Sequence, residues 1–309
     1  MADVRWYAPG VRYYEVVQKC AGDEMLMRPD PLTVFLIGVA LAIACNKFPG
    51  VNVVSFSFVS NHFHLVLFVE TDEEALNISD FMRALDQKIA QDLNKLRGRH
   101  GHFFRGRPRI LAILDDLHVA RRMTYTHTQP VHHGLVERVE EWPGLSSFRA
   151  VCDGKASVEL AYLNEEAWRE SGAREDEMAD YTATVSVPVS LPGLWRQLSE
   201  RELRAARRAH EESVRDVERQ ETVNRRHRRL PKGSHYTRID PFSRPADVEH
   251  SPKPWAHATE DDQKAHRRAY SEMLAVYRVA SARFRETGVL CAFPAGTRPP
   301  WIARAPVMT

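Results

Sequence analysis

Residues 51–70 read VNVVSFSFVSNHFHLVLFVE: two runs rich in β-branched and aromatic residues, Val51 to Val59 and His62 to Glu70, joined by Ser60-Asn61. Such runs on either side of a short polar turn predict an antiparallel hairpin. Upstream, residues 11–20 (VRYYEVVQKC) read as another strand. The apolar stretch Leu32 to Phe48 reads as a core helix, with Asp30 as N-cap, Pro31 at the first helical position and Pro49-Gly50 as its stop. Downstream, Thr71-Asp72-Glu73-Glu74 opens a second helix reaching about Leu96, on which Phe81, Leu85, Ile89 and Leu93 share one face. Ile110 to Leu114 reads as a strand, and Asp115 or Asp116 caps a third helix that carries Tyr125 and ends at Pro130 or Gly134. The order strand, helix, hairpin, helix, strand, helix predicts an α+β fold, an antiparallel sheet with helices on one face.

The bulk composition leaves the partner open. A chain of 309 residues with 43% hydrophobic content can bury a substantial core. A net charge of +2 conceals large opposing totals, so a preference for nucleic acid has to come from clustered arginines. Cys20, Cys45, Cys152 and Cys291 are scattered, unlike a zinc ribbon or a disulfide framework, and suit a reducing compartment. The apolar run Val34 to Cys45 is too short for a bilayer, and the N-terminus lacks the pattern of a secretory signal, so a cytoplasmic protein with no membrane partner is expected. Beyond Arg149 the character changes. Residues 156–190, with an acidic stretch from Glu165 to Asp180, read as a linker. Residues 191–309 read as a mainly helical, partly irregular accessory region. Its helical stretches are Leu198 to Arg229, which ends in a run of arginines, and about Glu260 to Arg285.

Three groups of residues point to chemistry. In a strand, His62 and His64 project from the same face and can share a cation, while Phe63, Leu65 and Leu67 pack on the other face. An isolated His-x-His pair is more often a hydrogen-bonded core or surface feature, so its context decides. Tyr125 and Gln129 lie one helical turn apart. A phenol can form a phosphoester, and an amide oxygen one turn away can complete a metal site begun by two imidazoles. Nitrogen and oxygen ligands with open positions favour Mg2+ or Mn2+ and leave zinc open. Between these elements, Arg97, Arg99, Phe103, Phe104, Arg105, Arg107 and Arg109 form a basic run with two aromatics, which suits contact with unpaired nucleic acid. Arg121 and Arg122, one turn before Tyr125, add positive charge beside the phenol.

The segment Phe58-Val59-Ser60-Asn61-His62-Phe63-His64-Leu65-Val66-Leu67, a later Gly-His-Phe-Phe-Arg, Tyr125-Thr126-His127-Thr128-Gln129-Pro130-Val131, Gly134-Leu135-Val136 and Trp142-Pro143-Gly144-Leu145-Ser146-Ser147 resemble the single-tyrosine transposases, especially the REP-associated tyrosine transposases. The resemblance runs over about the first 150 residues. It implies a ferredoxin-like HUH nuclease core spanning residues 1–155, with His62, His64 and Gln129 as ligands of a divalent metal and Tyr125 as nucleophile. Ser60 stands where a proline is common, Gln129 where REP-associated members usually carry asparagine, and residues 105–109 are more basic than the family pattern. A Phe-Pro-x-Gly-Thr segment, Phe293 to Thr297, is shared with longer members and has no evident chemical role. The implied activity is cutting and rejoining single-stranded or hairpin DNA through a 5′-phosphotyrosine, by a monomer or a homodimer. Other readings are a domesticated hairpin-DNA-binding regulator that no longer cuts, and a metal-dependent phosphohydrolase in which Tyr125 is structural. A replication initiator of the same chemistry is a further reading, although no helicase-like phosphate loop is present.

Overall fold

A computed structural model describes residues 4–172, 174–225, 229–245 and 255–300. Arg226 to Arg228, in the middle of the arginine run that ends the first accessory helix, lie outside the described residues. The fold is α+β, with a helical C-terminal part. Strands β1 (Tyr13–Lys19), β2 (Asn52–Phe58), β3 (His62–Phe68) and β4 (Arg109–Ile113) form one sheet in the order β2-β3-β1-β4, each pair of neighbours antiparallel. Helix α1 (Pro31–Lys47) connects β1 to β2, and helix α2 (Asp72–Leu96) connects β3 to β4, so each crossover skips one strand. This is the ferredoxin-like arrangement.

Local chemistry sets these boundaries. The Asp30 carboxylate accepts from the Thr33 amide at the start of α1, ahead of Pro31. Thr71 and Glu74 satisfy each other's backbone amides at the start of α2. The two-residue periodicity of a strand then sorts the side chains. Phe63, Leu65 and Leu67 oppose Gln18, Val16 and Tyr14 on one face, whereas His62 and His64 oppose Lys19 and Val17 on the other. α2 lies on the first face, where Gln18 Nε2 donates to Asp86 at 2.9 Å. Helix α3 (Asp116–His127), capped by Asp115, covers the histidine face against β2 and β3, and the short helix α4 (Phe148–Asp153) packs on β2.

Residues 156–190 depart from the expected linker. Strands β5 (Ser157–Leu163) and β6 (Thr182–Pro188) pair antiparallel and pack against α1. A Cβ on Gly38 of α1 would lie 2.3 Å from Leu160 Cδ1, which shows how closely the hairpin approaches the helix. This contact explains why α1 is apolar nearly all round: it is covered by its sheet and α2 on one side and by the hairpin on the other. The acidic composition of residues 165–180 obscured the flanking strands. That stretch itself is the exposed connection, containing the short helix α5 (Glu165–Ser171).

The accessory region is docked on the sheet domain. Helix α6 (Glu200–Asn224) packs against α3 and against the turns that follow it. At the start of α7 (Glu260–Thr287) the chain runs beside β4, and Tyr270 on α7 donates to the Val4 carbonyl. The Phe293 to Thr297 segment receives a mechanical role. The Tyr7 amide donates to Gly296 O at 2.9 Å, and a Cβ at Gly296, where φ is +75°, would sit 1.9 Å from Tyr7 O. Only glycine fits there.

Asp86 carries a cost that can be measured. Burial raises its carboxyl to about 7 against the lowering effect of Gln18, and its Oδ1 has no hydrogen-bond partner. A carboxyl pKa raised on folding leaves stability intact below its unfolded value of 3.8 and erodes it as the pH climbs through about 7. Asp86→Asn keeps an acceptor for Gln18 and should stabilise the protein by about 1–3 kcal/mol at pH 8, with no gain near pH 4. Thermal melts of both proteins at the two pH values check this; an equal gain at both would dismiss the ionisation account.

Candidate active site

His62 and His64 are 6% and 5% exposed, with ring centroids 5.3 Å apart, beneath α3. Burial, and then the neighbouring imidazoles His64 and His133, hold the His62 pKa well below its ordinary value, so the ring is neutral at physiological pH. Its Nδ1–H donates to Asn61 Oδ1 at 2.8 Å, which leaves Nε2 bare. That bare nitrogen faces Gln129 Oε1 at 3.1 Å. The amide is held in this sense because its Nε2 donates to the Tyr125 carbonyl at 3.0 Å. His64 Nδ1–H donates to Glu15 Oε1 at 3.2 Å. With the proton on Nδ1, His62 Nε2 and Gln129 Oε1 present lone pairs to each other across 3.1 Å. Placed so, the two atoms could share a cation. Among the described residues no cluster of three or more His, Cys, Asp or Glu side chains is arranged to hold a metal.

Tyr125 sits beside this set. Its ring packs edge-on to His64 at 5.5 Å, and the Arg122 guanidinium lies 4.2 Å above its face. Gln129 does not continue the helix of Tyr125. Helix α3 stops at His127, and Gln129 opens a separate turn, Gln129–His132, because Pro130 lacks the amide hydrogen needed to bond back along the helix. The bond from the Gln129 side-chain amide to the Tyr125 carbonyl keeps the two together across this break. A groove of about 720 Å³ between α3 and α6 opens at Tyr125, with Arg121, Arg122 and His132 on its polar side and Leu194 and Trp195 on its apolar side.

The basic run divides into structural and exposed residues. Arg97 is not a surface contact. Its side chain is 5% exposed, donates to Leu26 O and Thr33 Oγ1, and pairs with Asp30 at 3.4 Å, bracing the start of α1. Phe103, 2% exposed, belongs to the core and is not free to stack on a base. Phe104 is half-buried, edge-on to Phe63. Arg99 is tethered to the His102 carbonyl and lies 3.8 Å from Glu24. Arg105, Arg107 and Arg121 are exposed, and Arg109 is half-buried on the histidine face of β4, opposite Val17. The spacing of the run indicated charge but not burial, which distant residues impose.

Several residues set aside or passed over lie at the site. His133 is 4.8 Å from His62, and His132 is 5.3 Å from Tyr125 while contacting Glu221 of α6. His127, at the end of α3, is buried and hydrogen-bonded to His210 of α6 and to Ser147, each at 2.9 Å. Glu15 was detectable as a lone acid inside an otherwise apolar strand. No local pattern marked His210.

The sequence matches no protein-family model and no curated protein. Solved structures similar to the chain include a REP-associated tyrosine transposase bound to a REP hairpin, at 17% identity and a TM-score of 0.42, covering 50% of this chain and 86% of that one. A transposase candidate from Deinococcus radiodurans R1 is similar at 16% identity and a TM-score of 0.29, covering 42% and 98%. The tRNA(His) guanylyltransferase of Saccharomyces cerevisiae is similar at 10% identity and a TM-score of 0.36, covering 64% and 97%. Likenesses this distant assign no activity. No helix among the described residues is long and apolar enough to cross a membrane.

Proposed function

We propose that this protein is a transposase-like single-strand DNA endonuclease and strand transferase that works through a 5′-phosphotyrosine on Tyr125. The observation that carries the proposal is the meeting of the Tyr125 ring, 5.5 Å from that of His64, with His62 Nε2 and Gln129 Oε1, which face each other at 3.1 Å. His62, His64 and Gln129 would hold Mg2+ or Mn2+, which supplies positive charge to a scissile phosphate oxygen. The chain's own residues do the rest. Burial keeps the His62 imidazole neutral and able to ligate, and the Arg122 guanidinium stacks over the Tyr125 ring, bringing positive charge to the nucleophile's side of the site. The Tyr125 oxygen forms a bond to phosphorus as the bond to the 3′-oxygen breaks. The phenol loses a proton and the departing oxygen gains one, leaving a 3′-hydroxyl. One phosphoester replaces another, so that hydroxyl can reverse the step without a nucleotide cofactor. In this reading residues 1–155 carry the chemistry, DNA is the partner, and exposed Arg105, Arg107 and Arg121 contact phosphates.

Incubation with labelled single-stranded hairpin DNA and Mn2+, followed by denaturation, should leave label on the protein. Hairpin binding without any linked DNA would point to a regulator, and turnover without linkage to a hydrolase.

A further inference from the structure

Glu15 is 2% exposed on β1. A buried carboxylate is costly unless both oxygens are satisfied. Here each oxygen has an imidazole: His64 Nδ1–H donates to Oε1 at 3.2 Å, and His257 Nε2–H donates to Oε2 at 2.5 Å. Arg122 approaches Oε1 less closely, at 3.7 Å.

His257 belongs to the accessory region, 242 positions along the chain from Glu15. Its backbone is held as firmly as its ring. The amide donates to Ala112 O at 2.8 Å and the carbonyl accepts from Leu114 at 3.0 Å, forming a parallel bridge to Ile113. β4 is an edge strand of the sheet, so this segment pairs with backbone groups the sheet leaves open and delivers one imidazole beneath it.

We propose that His257 is a positioning residue of the Tyr125 site, anchoring the Glu15 carboxylate that holds the His64 ring in place for metal binding. The accessory region thus completes the catalytic centre. A carboxylate behind a ligating histidine fixes the ring's tautomer and orientation, and loss of such support weakens metal binding. The proposal rests on His62, His64 and Gln129 being the metal ligands.

The test titrates the full-length protein with Mn2+, following free ion by electron paramagnetic resonance, with hairpin binding measured in parallel. Wild-type protein should bind Mn2+ at a site lost in His62→Ala; no such site would overturn both the ligand assignment and this proposal. His257→Ala should weaken Mn2+ binding roughly tenfold and leave hairpin binding unchanged. His257→Gln, whose amide can still donate to Glu15, should restore most of the affinity. If His257→Ala fails to fold, His257→Leu, which fills the space without a donor, takes its place. Because His257 acts through Glu15, adding the His257 substitution to Glu15→Gln should cost little more than Glu15→Gln alone. Unchanged Mn2+ affinity in the His257 variant, or full additivity in the double variant, would overturn the proposal while leaving the ligand assignment standing.

Discussion

Tyr125→Phe should eliminate the covalent protein–DNA adduct, a loss on the order of a thousandfold or more, while hairpin binding and melting temperature stay close to wild type. The substitution deletes only the oxygen that would bond to phosphorus. The phenylalanine ring keeps its edge contact with His64, its contact with His132 and its place beneath Arg122. A purely structural tyrosine would behave differently, because losing a half-buried hydroxyl would change stability without selectively removing linkage. Denaturing gels of labelled hairpin with both proteins, run beside a binding titration, separate the cases. An adduct retained in Tyr125→Phe assigns the nucleophile elsewhere.

His62→Ala should have the second largest effect, reducing Mn2+-dependent strand cleavage by roughly a hundredfold or more. The reason is local. Removing the ring leaves Gln129 Oε1 and one remaining imidazole, His64, to hold the ion. His62 is buried, so the vacated space also lowers stability, by about 1–2 kcal/mol. Activity should therefore be measured well below the melting temperature. His133→Ala provides the contrast: that ring is 4.8 Å from His62 but outside the proposed ligand set, and its removal should cost far less. Equal losses from the two substitutions, or cleavage indifferent to a chelator, would remove the metal from the mechanism.

Much of the sheet was legible from local signals. Asp30 with Pro31, Thr71 with Glu74, and Asp115 start the helices where their capping chemistry indicated. The alternation around His62 and His64 assigned those side chains to one face. Tyr125 and Gln129 could be paired from their spacing, although Pro130 breaks the helix between them. The basic run was less transparent. Arg97 and Phe103 look like their exposed neighbours in sequence, yet one braces α1 and the other fills the core. The β5–β6 hairpin was hidden by the acidic connection between its strands, and the function of Gly296 depended on Tyr7, far away in the chain.

What the chain determined by itself was the set of elements and the direction each side chain faces, because backbone sterics, capping and strand alternation act within about four residues. Tertiary structure alone decided which polar groups meet: His62 with Gln129, Glu15 with His64 and His257, and His127 with His210. Those meetings join residues far apart in the chain, and they hold because burial removes water and leaves each polar group only its protein partners.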